Sequence, residues 1–463
     1  MKNILTLTGL TFLMVACGSQ TVPSQPQTAP LAAPEQLVLS TLTGQPTLLW
    51  KDRITDETSF EVLYSKDGVN FQQEQLLPAN TTSYVPSEEG FYAVRSRRNT
   101  EISERTNSVK YQQAHEQVHP TPTVTAQSKA HVLSSGNQHN LFVQNGKMNA
   151  FGWNGYGQTA KLNLNTVTEV AAGWNSSFAV TANGTVWAWG RNEFGQLGNG
   201  NTTDQSTPVQ ASIDHVKSIS AGVEHTLALK TDGTVWAWGH NNVGQLGNGN
   251  TTDRSAPVQV TGLSNIVQIG AGLGHNLALK ADGTVWVWGW NNNGQLGLGT
   301  TQSQSTPVQL TGLSNIVQIA AGHYHSLILT STGTVYSFGD NHNGRLGNGS
   351  TLSSFKPVQV QGLTDVQSIV AGAGHNLAIT GTGNVYSWGK NDNGQLGLGN
   401  TTDQNTPVQI QGIQSATAIS AGRAHSVILT AGGQLWSMGS NFGGQLGDGT
   451  TEDHLSPVQV TTL

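Results

Sequence analysis

The chain has 463 residues, room for two or three domains, with 56 glycines and only 10% charged residues. The glycines follow no Gly-X-Y period, which excludes collagen and points to repeated tight turns. A formal net charge of −6 lacks the basic footprint that phosphate backbones require, and a single cysteine, Cys17, excludes an intramolecular disulfide.

The first residues read "MKNILTLTGLTFLMVACGSQ". Lys2 is a short positive region and Ile4 to Ala16 is an apolar stretch. That stretch is too short to span a bilayer as a helix and has the length of a signal peptide's apolar region. "LMVAC" (Leu13–Cys17), with Met14 three residues before the cysteine, resembles a bacterial lipobox, in which the cysteine becomes lipid-modified. The expectation is a lipoprotein signal peptide over 1–17 with Cys17 as the lipidation site, then a flexible tether over 18–34, rich in Ser, Gln, Pro and Ala. The expected location is the bacterial cell envelope, facing the extracytoplasmic side, with the lipid as the sole membrane contact; plain secretion is the alternative.

Residues 35–112 alternate apolar and polar side chains in "TLLWKD" (Thr47–Asp52), "FEVLYSKDG" (Phe60–Gly68) and "GFYAVRS" (Gly90–Ser96). Such alternation marks strands with one buried face, and Asp67-Gly68 is a hairpin signal. The stretch resembles a fibronectin type III domain, a small β-sandwich, with Trp50 early, Phe60, Val62 and Tyr64 midway, and Tyr92 to Arg95 late. Residues 113–129 read as a linker without periodicity.

From residue 130 the chain repeats itself. In "AGVEHTLAL" and its copies, the second-residue glycines fall at Gly222, Gly272, Gly322, Gly372 and Gly422, 50 residues apart. Gly173 and Gly136 extend this series, and the glycines of the "WG" pairs and their "FG" or "MG" counterparts (Gly152, Gly190, Gly239, Gly289, Gly339, Gly389, Gly439) give the same total of seven. A fixed period near 50 with four short strands and no helix signal predicts the blades of a β-propeller. Around the third full unit the strands are "PVQV" (Pro257–Val260), "IVQIGAG" (Ile266–Gly272), "HNLALK" (His275–Lys280) and "TVWVWG" (Thr284–Gly289), with a tight turn at Ala281-Asp282-Gly283. Trp236/Trp238 and Trp286/Trp288, two apart on a strand, are expected to fill the gap to the next blade. The last strand, "SPVQVTTL" (Ser456–Leu463), is expected to complete the first blade, which lacks a "PVQV" strand ahead of it. The expected fold class is thus all-β: a seven-bladed β-propeller over 130–463 preceded by a small β-sandwich.

"AGVEHTLAL" followed by "DGTVWAWGHNNVGQLGNG" (Asp232–Gly249) resembles the repeat of the regulator of chromosome condensation family, over roughly residues 129–463. The resemblance implies a seven-bladed propeller and leaves function open. Alternating strand directions place the "AG" turns and the "WG" ends on one face of the disc, and the letters that vary between copies gather there. Trp174, Arg191, His240, Trp290, His323, Tyr324 and Arg423 are of types that anchor protein interfaces, which makes them the candidate binding residues. His139, His225, His275, His325, His375 and His425 occupy one repeated position, with Ser176 in the second copy. A ring of imidazoles could hold a metal or anion; repetition at nearly every blade favours a structural role, since sites usually break symmetry.

The Asn-rich loops lack the closely spaced carboxylates of a calcium loop, so no metal or cofactor is expected. No Ser-His-Asp, Cys-His or carboxylate pair stands out, so the reading is non-catalytic. Residues 129–463 hold 12 Lys+Arg against 15 Asp+Glu, which disfavours nucleic acid. The expected function is a lipid-anchored scaffold that binds a protein partner. The resemblance implies two alternatives: a guanine-nucleotide exchange factor-like regulator of a GTPase, and an inhibitor of a secreted enzyme. The exchange-factor reading lacks the basic tail and the long wedge-like insertion, and the "GWRHT" type of motif found in light-sensing relatives is absent.

Overall fold

The structure is a computed structural model that describes residues 35–40, 47–51, 59–66, 70–79, 81, 83–86, 90–98, 101–103, 109–111 and 132–461. Cys17, the apolar segment before it, the tether 18–34, the Asp67-Gly68 turn and the linker 113–129 lie outside the described residues. The chain divides into two compact units, residues 1–121 and 122–463. All the described elements are strands, and among the described residues no helix is long and apolar enough to cross a membrane.

In the first unit, Glu35–Ser40, Thr47–Lys51 and Ser83–Tyr84 form one antiparallel sheet. A second runs in the order Gln72–Pro78, Ser59–Ser65, Gly90–Arg98, Glu101–Ile102, with Val109–Tyr111 also paired to Gly90–Arg98. Leu37 and Leu48 of the first sheet meet Phe60, Val62, Tyr92 and Val94 of the second in one core. Phe60 and Val62 join this core, but burial does not alternate along their strand as expected, since Leu63 is buried as well. Between Phe60 and Val62, Glu61 is also fully buried and is held by Arg95 and Arg97, each at 2.6 Å. A buried carboxylate needs such partners, since alone it would give up its hydration without return.

The second unit contains seven antiparallel sheets in chain order, called blades 1 to 7 here: 133–152, 167–210, 216–259, 266–310, 316–359, 366–409 and 416–459. Each packs on the next, and blade 7 packs on blade 1, so the ring is closed. Blade 4 shows the pattern: Ile266–Ala271, His275–Lys280, Val285–Gly289 and Gln304–Leu310 pair in sequence order. At the "WG" end Gly289 has φ +93°, and a Cβ there would strike the Gly274 carbonyl and lie 3.0 Å from His275 Cα. Only glycine fits such a backbone approach.

The blade boundaries differ from the sequence expectation. The "PVQ" strand closes the blade it follows: Trp236 pairs with Gln259, and Ala237 with Val258. It is the outer fourth strand, reached after the "NxxGQLGxG" excursion, because that loop returns beside the strand it has just left. Accordingly the last strand, His454–Gln459, completes blade 7 and does not join blade 1. Blade 1 has three strands among the described residues, Leu133–Ser135, His139–Gln144 and Lys147–Gly152. The ring is therefore closed by packing instead of strand exchange: Leu133, Phe142 and Phe151 of blade 1 form one core with Val427, Leu435 and Val460 of blade 7.

The aromatic pairs also face the other way. Trp288 of blade 4 is fully buried among Leu227, Leu229, Val235, Ala237 and Leu246 of blade 3, the preceding blade, and Trp238 likewise packs against blade 2. Trp286 shares that face but is only partly buried, with Lys280 Nζ 5.6 Å from its ring centre. Full burial of a tryptophan brings several kcal/mol of apolar transfer, on the order of 25 cal/mol per Å². Repeated around the ring, this term is what joins blade to blade.

Candidate functional site

Two layers of the propeller hold the residues singled out by sequence, and they do different work. The first is the buried layer of repeated histidines. Each reaches the blade that follows: His139 Nε2 to Ser177 Oγ (2.9 Å), His225 to Asn276 Oδ1 (2.7 Å), His275 to Ser326 (3.0 Å), His325 to Asn376 (2.6 Å), His375 to Ser426 (2.9 Å) and His425 to Asn140 across the closure (2.9 Å). The partner then donates back to a loop carbonyl of the preceding blade. Asn276 Nδ2 donates to Gln245 O at 2.8 Å, and the Trp288 indole donates to the same oxygen at 3.0 Å. At the ring closure Asn140 donates to Gln445 O at 2.8 Å.

This arrangement fixes the tautomer. An Asn whose amide donates to a carbonyl presents only its oxygen to the imidazole, so Nε2 must carry the hydrogen. Nδ1 is then a buried lone pair, and no hydrogen-bond partner reaches it in any of the six. Burial, with neighbouring positive groups and imidazoles adding to it at some blades, pushes His139, His225 and His375 down to about 4 and His275 and His425 to about 3. The ring sits so close to the "AG" glycine that a Cβ on Gly222 would lie 2.5 Å from His225 Cε1 and 2.6 Å from the Gly272 carbonyl. The histidines are thus joints, and the "AG" motif is the space they need.

The loop asparagines are structural in the same sense. Fully buried Asn241 accepts from Leu246 N–H at 2.9 Å and donates to the carbonyls of Asn250 and Thr252 at 3.0 Å each. Among the described residues no group of three or more His, Cys, Asp or Glu side chains is placed to hold a metal ion.

The second layer is the face where "AG" turns and "WG" ends meet; the Trp290 N–H bond to Gly274 O at 2.8 Å ties them together. Here the repeat breaks. Five of the candidate residues form one chain of ring contacts across the mouth of the central channel. Arg423 of blade 7 lies 5.4 Å from the ring centre of Trp174 of blade 2, and Trp174 lies 5.1 Å from His323 of blade 5. His323 is 6.2 Å from Tyr324, and Tyr324 is 5.5 Å from Trp290 of blade 4. Blades 2 and 5 stand across the ring from each other, so Trp174 reaches over the channel. Together with the alanines and glycines of the seven turns, Trp174, His323 and Arg423 line a small cavity of about 100 Å³. The other two candidates sit in a separate cluster. His240 stacks on Phe194 at 4.2 Å and meets Glu224 at 3.1 Å, and Arg191 pairs with Glu193 and Glu224.

Sequence comparison of the copies overlooked Arg345. It replaces the glutamine of "GQLG", whose side-chain oxygen normally accepts a loop N–H, as Gln295 does from Asn293 at 2.9 Å. An arginine cannot accept. It turns instead to Asp340 (3.0 Å) and Asn343 Oδ1 (2.7 Å), and both Arg345 and Asp340 are buried. The written signal was there: "NGRLG" puts arginine where every other copy has glutamine after the glycine. Burial, followed by the charges of Arg345 and Arg423, holds His323 down to about 3, so it is neutral.

A closed ring of seven antiparallel sheets defines a β-propeller. The RCC1-like domain model matches residues 159–315, and regulator of chromosome condensation (RCC1) repeat models match 332–379, 382–429 and 432–463, and 316–345, 366–395 and 416–445. The propeller belongs to the RCC1 repeat family. The ultraviolet-B receptor UVR8 of Arabidopsis thaliana is 34% identical over 103 residues, 19% of this chain and 23% of that protein, so the match spans about a quarter of its length. Human WBSCR16 is similar in structure at TM-score 0.60 and 26% identity, covering 65% of this chain and 83% of that one. Prp20p of Saccharomyces cerevisiae, a protein studied for its binding to Gsp1p and histones, aligns at TM-score 0.62 and 24% identity, covering 70% and 87%. At that identity the likeness to Prp20p concerns the fold.

Proposed function

We propose that the chain is a non-catalytic binding scaffold that presents the "AG"/"WG" face of its propeller to a protein partner. The observation that carries this is the contiguous run Arg423–Trp174–His323–Tyr324–Trp290, drawn from four blades, on a framework that otherwise repeats itself. Aromatic and arginine side chains gathered at a concave centre are the usual anchors of protein interfaces. The lipobox-like "LMVAC" extends the proposal: export, lipid attachment at Cys17, and display of the propeller from a bacterial membrane, with residues 35–112 as a fibronectin type III-like spacer. Inhibition of a secreted enzyme would use the same face. An exchange-factor role toward a GTPase draws support from the fold shared with Prp20p and from no particular side chain.

The test is capture from envelope extract with the full-length chain and with a variant carrying Trp174→Ala, Trp290→Ala and Tyr324→Ala. A partner held by the first and lost by the second, with both folded, identifies the face. Equal capture by both, or none, overturns it.

A further inference from the structure

Four cations occupy the positions where the repeat varies on this face, and three have carboxylate partners. Arg191 pairs with Glu193 and Glu224, Arg345 with Asp340 at 3.0 Å, and Lys390 with Asp392 at 3.0 Å. Arg423 is exposed and meets no carboxylate among the described residues. It lies over the face of Trp174, 5.4 Å from the ring centre. A guanidinium over a ring spends no hydrogen bond on it, so its N–H fork stays available, and that fork matches the two oxygens of a carboxylate. The cavity it lines holds no Asp or Glu. The positive charge at the channel mouth is therefore uncompensated by a carboxylate among the described residues, and it is open to an incoming anion.

We propose that the channel mouth binds a side-chain carboxylate of the partner polypeptide through the in-plane edge of Arg423, with adjoining apolar residues of that partner laid on Trp174, Tyr324 and Trp290. A side chain fits better than a chain terminus. A terminal carboxylate is usually captured by free backbone N–H groups. Beside Arg423 those groups are already committed, its own turn N–H and those of the two flanking blades: Ala373 to Gly422 O (3.2 Å), Arg423 to Gly136 O (3.2 Å) and Asn137 to Trp174 O (3.1 Å). The inference rests on the face being the binding surface and adds the chemistry of what it binds.

The experiment is selection of random peptides, displayed with blocked C-termini, on the full-length chain and on Arg423→Gln, Arg423→Glu and Trp290→Ala/Tyr324→Ala variants. Wild type should enrich Asp or Glu next to large apolar residues, and Arg423→Glu should enrich Lys or Arg instead. For a selected peptide, Arg423→Gln and replacement of its acid by the amide should each weaken binding at least about tenfold, and together no more than either alone. Peptides without excess Asp or Glu, or binding unmoved by Arg423→Gln, would overturn the carboxylate. If such binding still falls with Trp290→Ala/Tyr324→Ala, the face stands and only its chemistry is wrong. Binding indifferent to both sets, or no enrichment at all, sinks the face as well. Binding that needs a free C-terminus replaces the side chain with a terminus.

Discussion

The joint layer and the open face of this propeller are built from the same residue types and treat them in opposite ways. Trp288 and Trp174 are both tryptophans, and His275 and His323 are both histidines. In the joint, each has one partner dictated by the repeat: Trp288 and Asn276 share the Gln245 carbonyl, and His275 meets Ser326. On the face, Trp174 contacts His323 from across the ring, a contact no neighbouring pair of blades repeats. What repeats holds the ring together, and what does not repeat is available for recognition.

The comparison breaks most readily at the joint. Trp288→Ala removes a fully buried ring and leaves one fewer donor on the Gln245 carbonyl. A loss of about 3–5 kcal/mol is expected from the cavity and the lost transfer energy. Urea unfolding should show it as a lower midpoint, whereas Trp290→Ala on the face should shift the midpoint little. Equal losses at the two sites would erase the distinction between layers.

Acid acts on the joint as a whole. The buried histidines are neutral when folded, with His139, His225 and His375 near 4 and His275 and His425 near 3, against 6.5 when exposed. A depressed base means the unfolded chain takes up protons first as pH falls. Stability is therefore full above about pH 6.5 and declines below it, each histidine contributing about 1.4 kcal/mol per pH unit until its folded value is reached. Chemical denaturation at pH 7.5, 6 and 5 should show the midpoint dropping mostly between the last two. A flat profile would mean the imidazoles are not held neutral by burial.

Blade 2 offers a gain instead of a loss. It carries Ser176 where the other blades have histidine, and Thr226 of blade 3 stands at the position that receives the imidazole elsewhere. Ser176→His should add the missing joint and raise stability by about 1 kcal/mol, the net worth of one such bond. A destabilised variant would show that this gap is too narrow for the ring and that blade 2 has packed around its absence.

Much of this was written in the sequence. A 50-residue period, alternating strands and "DG" turns were enough to read seven sheets, and the near-constancy of the histidine was enough to read a joint. Strand phase was not legible, because "PVQV" carries the same alternation whether it starts a blade or ends one. Only the pairing of Trp236 with Gln259 decides it. The side to which Trp288 points, and so the closure by Phe142 and Phe151 against blade 7, follows from sheet twist and packing, which leave no mark in a single strand's pattern. On the face, the variable letters were legible one at a time. That Arg423, Trp174 and His323 meet while Arg191 and His240 stand apart depends on which blades lie opposite, a property of the closed ring. Arg345 leaves a fainter mark, because its position departs from glutamine in one copy only, whereas the face positions differ in nearly every copy.

The smallest expected effect on stability is the most telling for function. Arg423→Gln removes an exposed charge that has no carboxylate partner among the described residues and rests on Trp174. Surface substitutions of this kind usually fall within about 0.5 kcal/mol, and loss of an exposed cation–π contact costs about as much. The urea midpoint should hardly move. His323, however, loses one of the two cations that oppose its protonation, so its titration should move upward from about 3 while burial and Arg345 keep it below the ordinary range. Histidine NMR of the variant would follow it. An unchanged midpoint with an upward-moved His323 would place the charge of Arg423 over the channel mouth, where an incoming carboxylate would meet it. A large loss of stability would make Arg423 part of the framework and return the face to the same account as the joint.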